Sequence, residues 1–122
     1  MSSERRQDAE KRGRHGETLA ALLLRCKGYR ILGRRVRTRA GEIDLVAKSP
    51  SGIVCFVEVK TRPADGLAAE SVGQRQRARI VHAAELYLAG RAAGKGVRFD
   101  VITVVPGHLP RHLRDAWGAD DL

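Results

Sequence analysis

Aromatic side chains are nearly absent, with two Phe, two Tyr and one Trp making up 4% of the chain. Trp117 and Phe56 stand isolated in the sequence, so there is no row of rings on which unstacked bases could rest, which argues against single-strand binding by base stacking. Cysteine is scarce too. Cys26 and Cys55 lie in apolar segments without CxxC spacing, a pattern that fits two buried thiols in a reducing compartment rather than a disulfide framework or a zinc site. Long apolar runs are missing: the longest, residues 19–24, falls far short of the ~20 residues a membrane helix needs. Residues 1–14 carry charges of both signs and no apolar stretch, which does not resemble a secretory signal. The expected location is therefore the cytoplasm, with no membrane partner.

Positive charge is abundant. Lys and Arg number 23 against 14 Asp and Glu, a net charge of +9 on 122 residues, and a polyanionic partner is the first expectation. The excess is concentrated. No acidic residue falls between Thr18 and Gly41, whereas Arg25, Lys27, Arg30, Arg34, Arg35, Arg37 and Arg39 all do. A solvated face usually mixes signs, so this run reads as a track for a nucleic-acid backbone.

The length allows one domain, and 43% hydrophobic residues are enough for a modest core. Residues 1–14 read as a mobile tail, 15–118 as the folded domain and 119–122 as a C-terminal tail. From Gly16, apolar residues at helical spacing on two sides (Leu19, Leu22, Leu23 and Cys26; Ala20, Ala21 and Leu24) predict a helix covered on both and stopped by Gly28. Strands are expected over 29–36, 42–47 and 53–60, antiparallel because their connections are short. Ser71 and Gln74 resemble a capping box for a second helix, whose stripe is Ile80, Ala83, Ala84, Tyr87 and Leu88. Residues 97–105 form a last strand, followed by a short polar helix over 111–117. The fold class is then α/β, a single domain in the order α-β-β-β-α-β. Its central sheet is mixed, because the last strand follows a helical crossover, and helices flank it.

On the third strand Glu58 and Lys60 are two residues apart and share the face that Val54 and Phe56 commit to burial. Ionised groups there need partners. The hairpin brings Asp44, on the same side as Glu42 and Val46, beside Glu58. Two carboxylates that close raise each other's pKa, and a divalent cation keeps both ionised. Mg²⁺ or Mn²⁺ suits such oxygen donors, with the Val59 carbonyl completing the set. The chemistry is phosphodiester hydrolysis, with Lys60 orienting water or stabilising charge on the phosphate. Without a metal, Glu58 and Lys60 are a solvated edge pair and Asp44 a turn cap. Asp100 reads as a structural ion pair with Arg98. His108 and His112 read as surface histidines, and residues 90–95 as a plain loop despite their glycines.

Gly41-Glu42-Ile43-Asp44-Leu45 followed by Phe56-Val57-Glu58-Val59-Lys60-Thr61-Arg62 resembles the YraN family of small bacterial proteins. The likeness extends to Gly16-Glu17, to Gly28-Tyr29-Arg30-Ile31-Leu32, to Ser71-Val72 and to Arg98-Phe99-Asp100-Val101-Ile102. It implies a restriction-endonuclease-like fold, alongside archaeal Holliday-junction resolvases, and a PD-(D/E)xK nuclease site. Asp44 and Glu58 would be its metal ligands, Lys60 its catalytic lysine and Glu17 a further acid near the metal. Ile43 stands where that motif has its nominal proline, and the family tends to have Asn where Arg35 stands and Lys-Gln where Gln76-Arg77 stand. Glu17 also fits as an acid at a helix N-terminus. Gln76 extends the sheet-facing stripe of Ile80, Ala83 and Tyr87, as an accessory to the site or as plain helix surface. Arg62, Arg75 and Arg79 join Arg30, Arg34, Arg35, Arg37 and Arg39 as candidate nucleic-acid contacts. The expected function is a Mg²⁺- or Mn²⁺-dependent nuclease acting on DNA, branched or junction DNA included, with a tendency to form homodimers. The alternatives are a nucleic-acid-binding module without turnover and a scaffold whose basic face meets an acidic protein.

Overall fold

The structure, a computed structural model, describes residues 3–63 and 73–118. Its elements are α1 (Ser3–Cys26), β1 (Arg30–Thr38), β2 (Gly41–Lys48), β3 (Val54–Thr61), α2 (Gln74–Leu88), β4 (Val97–Val104) and β5 (Arg111–Trp117). The strands form one sheet in the order β1-β2-β3-β4-β5. The two hairpin-linked pairs at the β1 end and the β4–β5 pair are antiparallel, whereas β4 runs parallel to β3. That parallel pair follows from the α2 crossover, since strands joined without a tight turn need an intervening element. The α-β-β-β-α-β core has the restriction-endonuclease-like arrangement, with a fifth strand added at the edge.

Alternation along β3 and β4 divides the core into two layers. Val54, Phe56, Phe99 and Val101 face α2, where they meet Ile80, Ala83 and Ala84. Cys55, Val57, Ile102 and Val104 face α1 and pack on Ala20, Ala21 and Leu24. All the aromatic residues but Tyr29, which packs in the α1 layer, are joined in the α2 layer. Phe99 stacks on Phe56 and Trp117, with ring centroids 5.8 and 5.4 Å apart, so the two rings that stand alone in the sequence share one buried row.

Several boundaries differ from expectation. Helix α1 begins at Ser3, not Gly16, so the backbone of the segment read as a tail is helical from that residue. Helix α2 begins at Gln74 with Gly73 as its N-cap and no side-chain cap; Ser71, the expected cap, lies outside the described residues, as do 119–122. Cys55 is buried but Cys26 is exposed at the end of α1. Residues 111–117 are not a helix but the edge strand β5. Its outward charges guard a sheet edge against further pairing, and Asp115, at φ +53°, interrupts the alternation that would have marked a strand.

Alternation also breaks inside β2. Ile43 and Val46 both lie in the α2 layer, while Leu45 and Ala47 lie in the α1 layer. The β2–β3 ladder runs only from Lys48↔Val54 to Leu45↔Val57, whereas β1–β2 pairing continues to Thr38↔Gly41. The sheet therefore forks at Asp44.

Candidate functional site

At the fork, a side chain replaces a main-chain bond. Asp44 Oδ2 accepts a hydrogen bond of 2.8 Å from the Val59 backbone N–H, so the carboxylate bridges the gap between β2 and β3. Glu58, one residue earlier on β3, is buried and lies close enough for its charge to act on Asp44. Its Oε1 accepts from Gln76 Nε2 at 2.7 Å and lies 3.5 Å from Lys60 Nζ. Lys60 Nζ in turn donates to Gln76 Oε1 at 3.2 Å. Gln76 thus ties the carboxyl of Glu58 to the ammonium of Lys60. It does so because it sits in the first turn of α2, on the side of the stripe that faces the sheet.

Burial and the neighbouring Glu58 carboxylate push Asp44 up to about 7, against the pull of the Val59 N–H. Glu58 is also raised, chiefly by burial, with Lys60 opposing. A raised carboxyl stabilises the fold fully below its unfolded pKa and loses that contribution as pH climbs through the folded value. For Asp44 the loss runs from about 4 to about 7. Asp100 behaves oppositely: burial pushes it up, but His112, Arg98 and the Asp115 N–H hold it at about 2. Its contribution is lost as pH falls from about 4 to about 2. Urea unfolding of the metal-free protein across pH is expected to give a stability maximum near pH 4–5 and a decline toward neutrality. A maximum above neutrality would contradict the environment assigned to Asp44.

Glu17 reaches the same region from α1. Gly16 is what permits the approach: a Cβ there would stand 2.4 Å from Thr61 Oγ1. The Glu17 side chain is 12% exposed, and its Oε1 accepts a 2.6 Å ion-pair hydrogen bond from Arg35 Nε. Among the described residues no group of three or more His, Cys, Asp or Glu side chains is gathered to hold a metal, so Asp44 and Glu58 stand as a pair with Glu17 turned to Arg35. Two carboxylates are nevertheless a sufficient protein share for Mg²⁺ or Mn²⁺, which keep waters and substrate phosphate as their other ligands. The hard oxygen donors fit such an ion.

The basic run does not form one track. Arg25 and Lys27 lie at the end of α1, where Lys27 Nζ meets His112 Nδ1 at 2.7 Å, and Arg30 pairs opposite Lys48. That is the end of β1 away from the fork. Arg34 and Arg35 reach α1, through Thr18 Oγ1 at 3.0 Å and Glu17. Arg37 is 89% exposed and 3.6 Å from Glu42, and Arg39 is exposed in the β1–β2 turn. Arg75 and Arg79 are exposed on α2, with Arg79 packed over Gly41. Arg62 is half-buried just beyond β3 and donates to the Thr61 carbonyl.

The expected pairing of Asp100 with Arg98 is present and larger than expected. Asp100 is fully buried and accepts from Arg98 Nε and Nη2 at 2.8 and 2.9 Å, from His112 Nε2 at 2.8 Å and from Asp115 N–H at 3.0 Å. Arg98 also donates to the Tyr29 hydroxyl at 2.6 Å. His112 is thus no surface histidine, its side chain being 2% exposed. A helix over 111–117 gives His112 no inward direction; as a strand residue opposite Ile102 it points inward.

Residues 16–104 match the model of an uncharacterised protein family, UPF0102. A UPF0102 protein of Maricaulis maris is 48% identical over 123 residues, spanning 99% of this chain and 95% of that protein. One from Agrobacterium fabrum is 46% identical over 94% of this chain and 95% of its own length, and one from Paramagnetospirillum magneticum 48% over 93% and 92%. The matched span holds the fork, both carboxylates and the Lys60–Gln76 pair. The chain belongs to the UPF0102 family, the one that also goes by the name YraN.

Proposed function

We propose that this protein is a Mg²⁺- or Mn²⁺-dependent nuclease that hydrolyses phosphodiester bonds of DNA, branched DNA included. The observation that carries the reading is the half-buried Asp44 and buried Glu58 carboxyls, brought from two strands to the fork beside an ammonium. Their burial in a protein of net charge +9 supports it, because a structural role would be served without two like-charged groups in one site. Asp44 and Glu58 would hold the cation, with the Val59 carbonyl and Glu17 adjoining. When bound, the cation supplies Lewis acidity to a phosphoryl oxygen and lowers the pKa of a water ligand.

The remaining work falls to the chain. Lys60, at 16% side-chain exposure, presents its ammonium where negative charge grows on the phosphate. Gln76 holds that ammonium and the Glu58 carboxyl in one fixed geometry, so neither needs to reorganise during the reaction. Arg37, Arg39, Arg75 and Arg79 lie exposed around the fork and neutralise backbone phosphates. Cutting both strands of a symmetric substrate requires two such sites, and we read the active species as a homodimer acting in the cytoplasm.

Incubation with duplex, single-stranded and branched DNA plus Mg²⁺ or Mn²⁺ is expected to give cleavage that is abolished by chelator and by Glu58→Gln. Binding should weaken steeply with salt. Salt-sensitive binding without cleavage under either metal would instead leave a binding module of the same fold. No affinity at low salt would leave a scaffold for an acidic protein.

A further inference from the structure

Arg35 is set apart from the other arginines by its backbone. It has φ +50°, a left-handed conformation that is rare for a residue with a Cβ. Such local strain persists only where the surroundings enforce it, and it clusters at functional sites. Here two contacts enforce it. Arg35 Nε is pinned to Glu17 Oε1 at 2.6 Å, and the preceding Arg34 is tied to Thr18 Oγ1 at 3.0 Å, so this stretch of β1 is clamped to one turn of α1.

The register shows what this geometry faces. Arg35 falls between the pairs Arg34↔Leu45 and Val36↔Ile43, which is the position opposite Asp44. Glu17, Glu42 and Asp44 all act on its charge. Among the described residues the guanidinium is held by one edge, through Nε, and the side chain is 42% exposed. An arginine anchored at Nε keeps its terminal N–H groups in a fixed plane, which is the geometry that grips a phosphate through two parallel hydrogen bonds.

We propose that Arg35 is the phosphate clamp of the site: Glu17 holds its Nε so that its terminal N–H groups seize a backbone phosphate of the nucleic acid at the mouth of the Asp44–Glu58 pair. The inference rests on the nuclease reading and adds to it the residue that seats the substrate. It also gives Glu17 a task of its own, aiming the arginine.

The test uses Arg35→Gly and Arg35→Lys. Glycine accepts the left-handed backbone without strain, so the fold is kept while the side chain is removed. In chelator, binding of a labelled duplex by Arg35→Gly is expected to weaken about tenfold, with the salt slope shallower by about one phosphate contact. Mn²⁺ affinity, read by calorimetry without DNA, is expected to move the other way, tightening roughly threefold because a cation has left the carboxylates. Unfolding cannot weaken one ligand and tighten the other. Arg35→Lys keeps the charge but not the fork, so its Mn²⁺ affinity stays at the wild-type value while DNA binding still falls. Unchanged DNA affinity and slope in Arg35→Gly, in a protein whose wild type binds and cuts DNA, would overturn the clamp and leave the nuclease reading standing. Loss of both DNA and Mn²⁺ affinity with a lowered urea midpoint would overturn it too, making Arg35 a structural tie. Wild-type protein that neither binds nor cuts DNA would bring down the parent reading instead.

Discussion

Asp44→Asn is expected to abolish cleavage while making the metal-free protein more stable. The rate should fall by roughly three orders of magnitude, beyond the 10–100-fold typical of a partner outside the metal's own ligands. Stability should move the opposite way. Burial and the Glu58 carboxylate raise Asp44 to about 7, so above that pH the native state holds a charge that its surroundings disfavour. Asparagine keeps an oxygen to accept the 2.8 Å bond from the Val59 N–H and removes the charge. The gain should be roughly 2 kcal/mol above neutrality and should vanish below about pH 4, where the carboxyl is protonated in both native and unfolded chains. Chemical unfolding at the two pH values measures it. A variant less stable than wild type at both would mean that Asp44 is held for its fold contribution alone.

Asp100→Ala should act in the opposite sense, costing about 3–5 kcal/mol and leaving Mn²⁺ affinity unchanged. Asp100 is fully buried where Asp44 is half-buried, and its neighbours are cations and donors rather than another carboxylate. Removing it strands Arg98, whose side chain is 15% exposed, and breaks the ties to His112 and to the Asp115 N–H that fasten β5 to β4. Replacing Asp100 and Arg98 together by apolar residues should recover much of the loss, because the penalty comes largely from the charge left unpaired. Urea midpoints of the single and double variants decide this. If Asp100→Ala also lost Mn²⁺ affinity while remaining folded, the division between a structural cluster and a reactive one would fail.

These two aspartates illustrate how much a sequence can disclose. The hairpin, the parallel fourth strand and the meeting of Asp44 with Glu58 all follow from alternation, a short turn and a helical crossover, which are local rules. Gln76 was reachable because helical periodicity extends its stripe to the sheet. The fork was not legible, since unbroken alternation places Asp44 on the face of Val46, and only the full sheet makes Ile43 and Val46 neighbours in one layer. Strand β5 was hidden because an edge strand has one covered side and Asp115 disturbs even that. With β5 unseen, His112 had no inward direction. Nothing in a one-dimensional pattern announces a left-handed arginine, so the tie between Arg35 and Glu17 emerges only in three dimensions. The same holds for the division of the basic run between the two ends of β1.

The central claim, that Asp44 and Glu58 jointly grip a divalent cation, is tested most directly by calorimetric titration of Mn²⁺ into metal-free wild type, Asp44→Asn and Glu58→Gln at about pH 8 and about pH 5. One site per chain is predicted for wild type, with affinity dropping at the lower pH as protons compete for the carboxyls, and with no measurable site in either variant. Equal Mn²⁺ binding by all three proteins, or an affinity indifferent to pH, would contradict it.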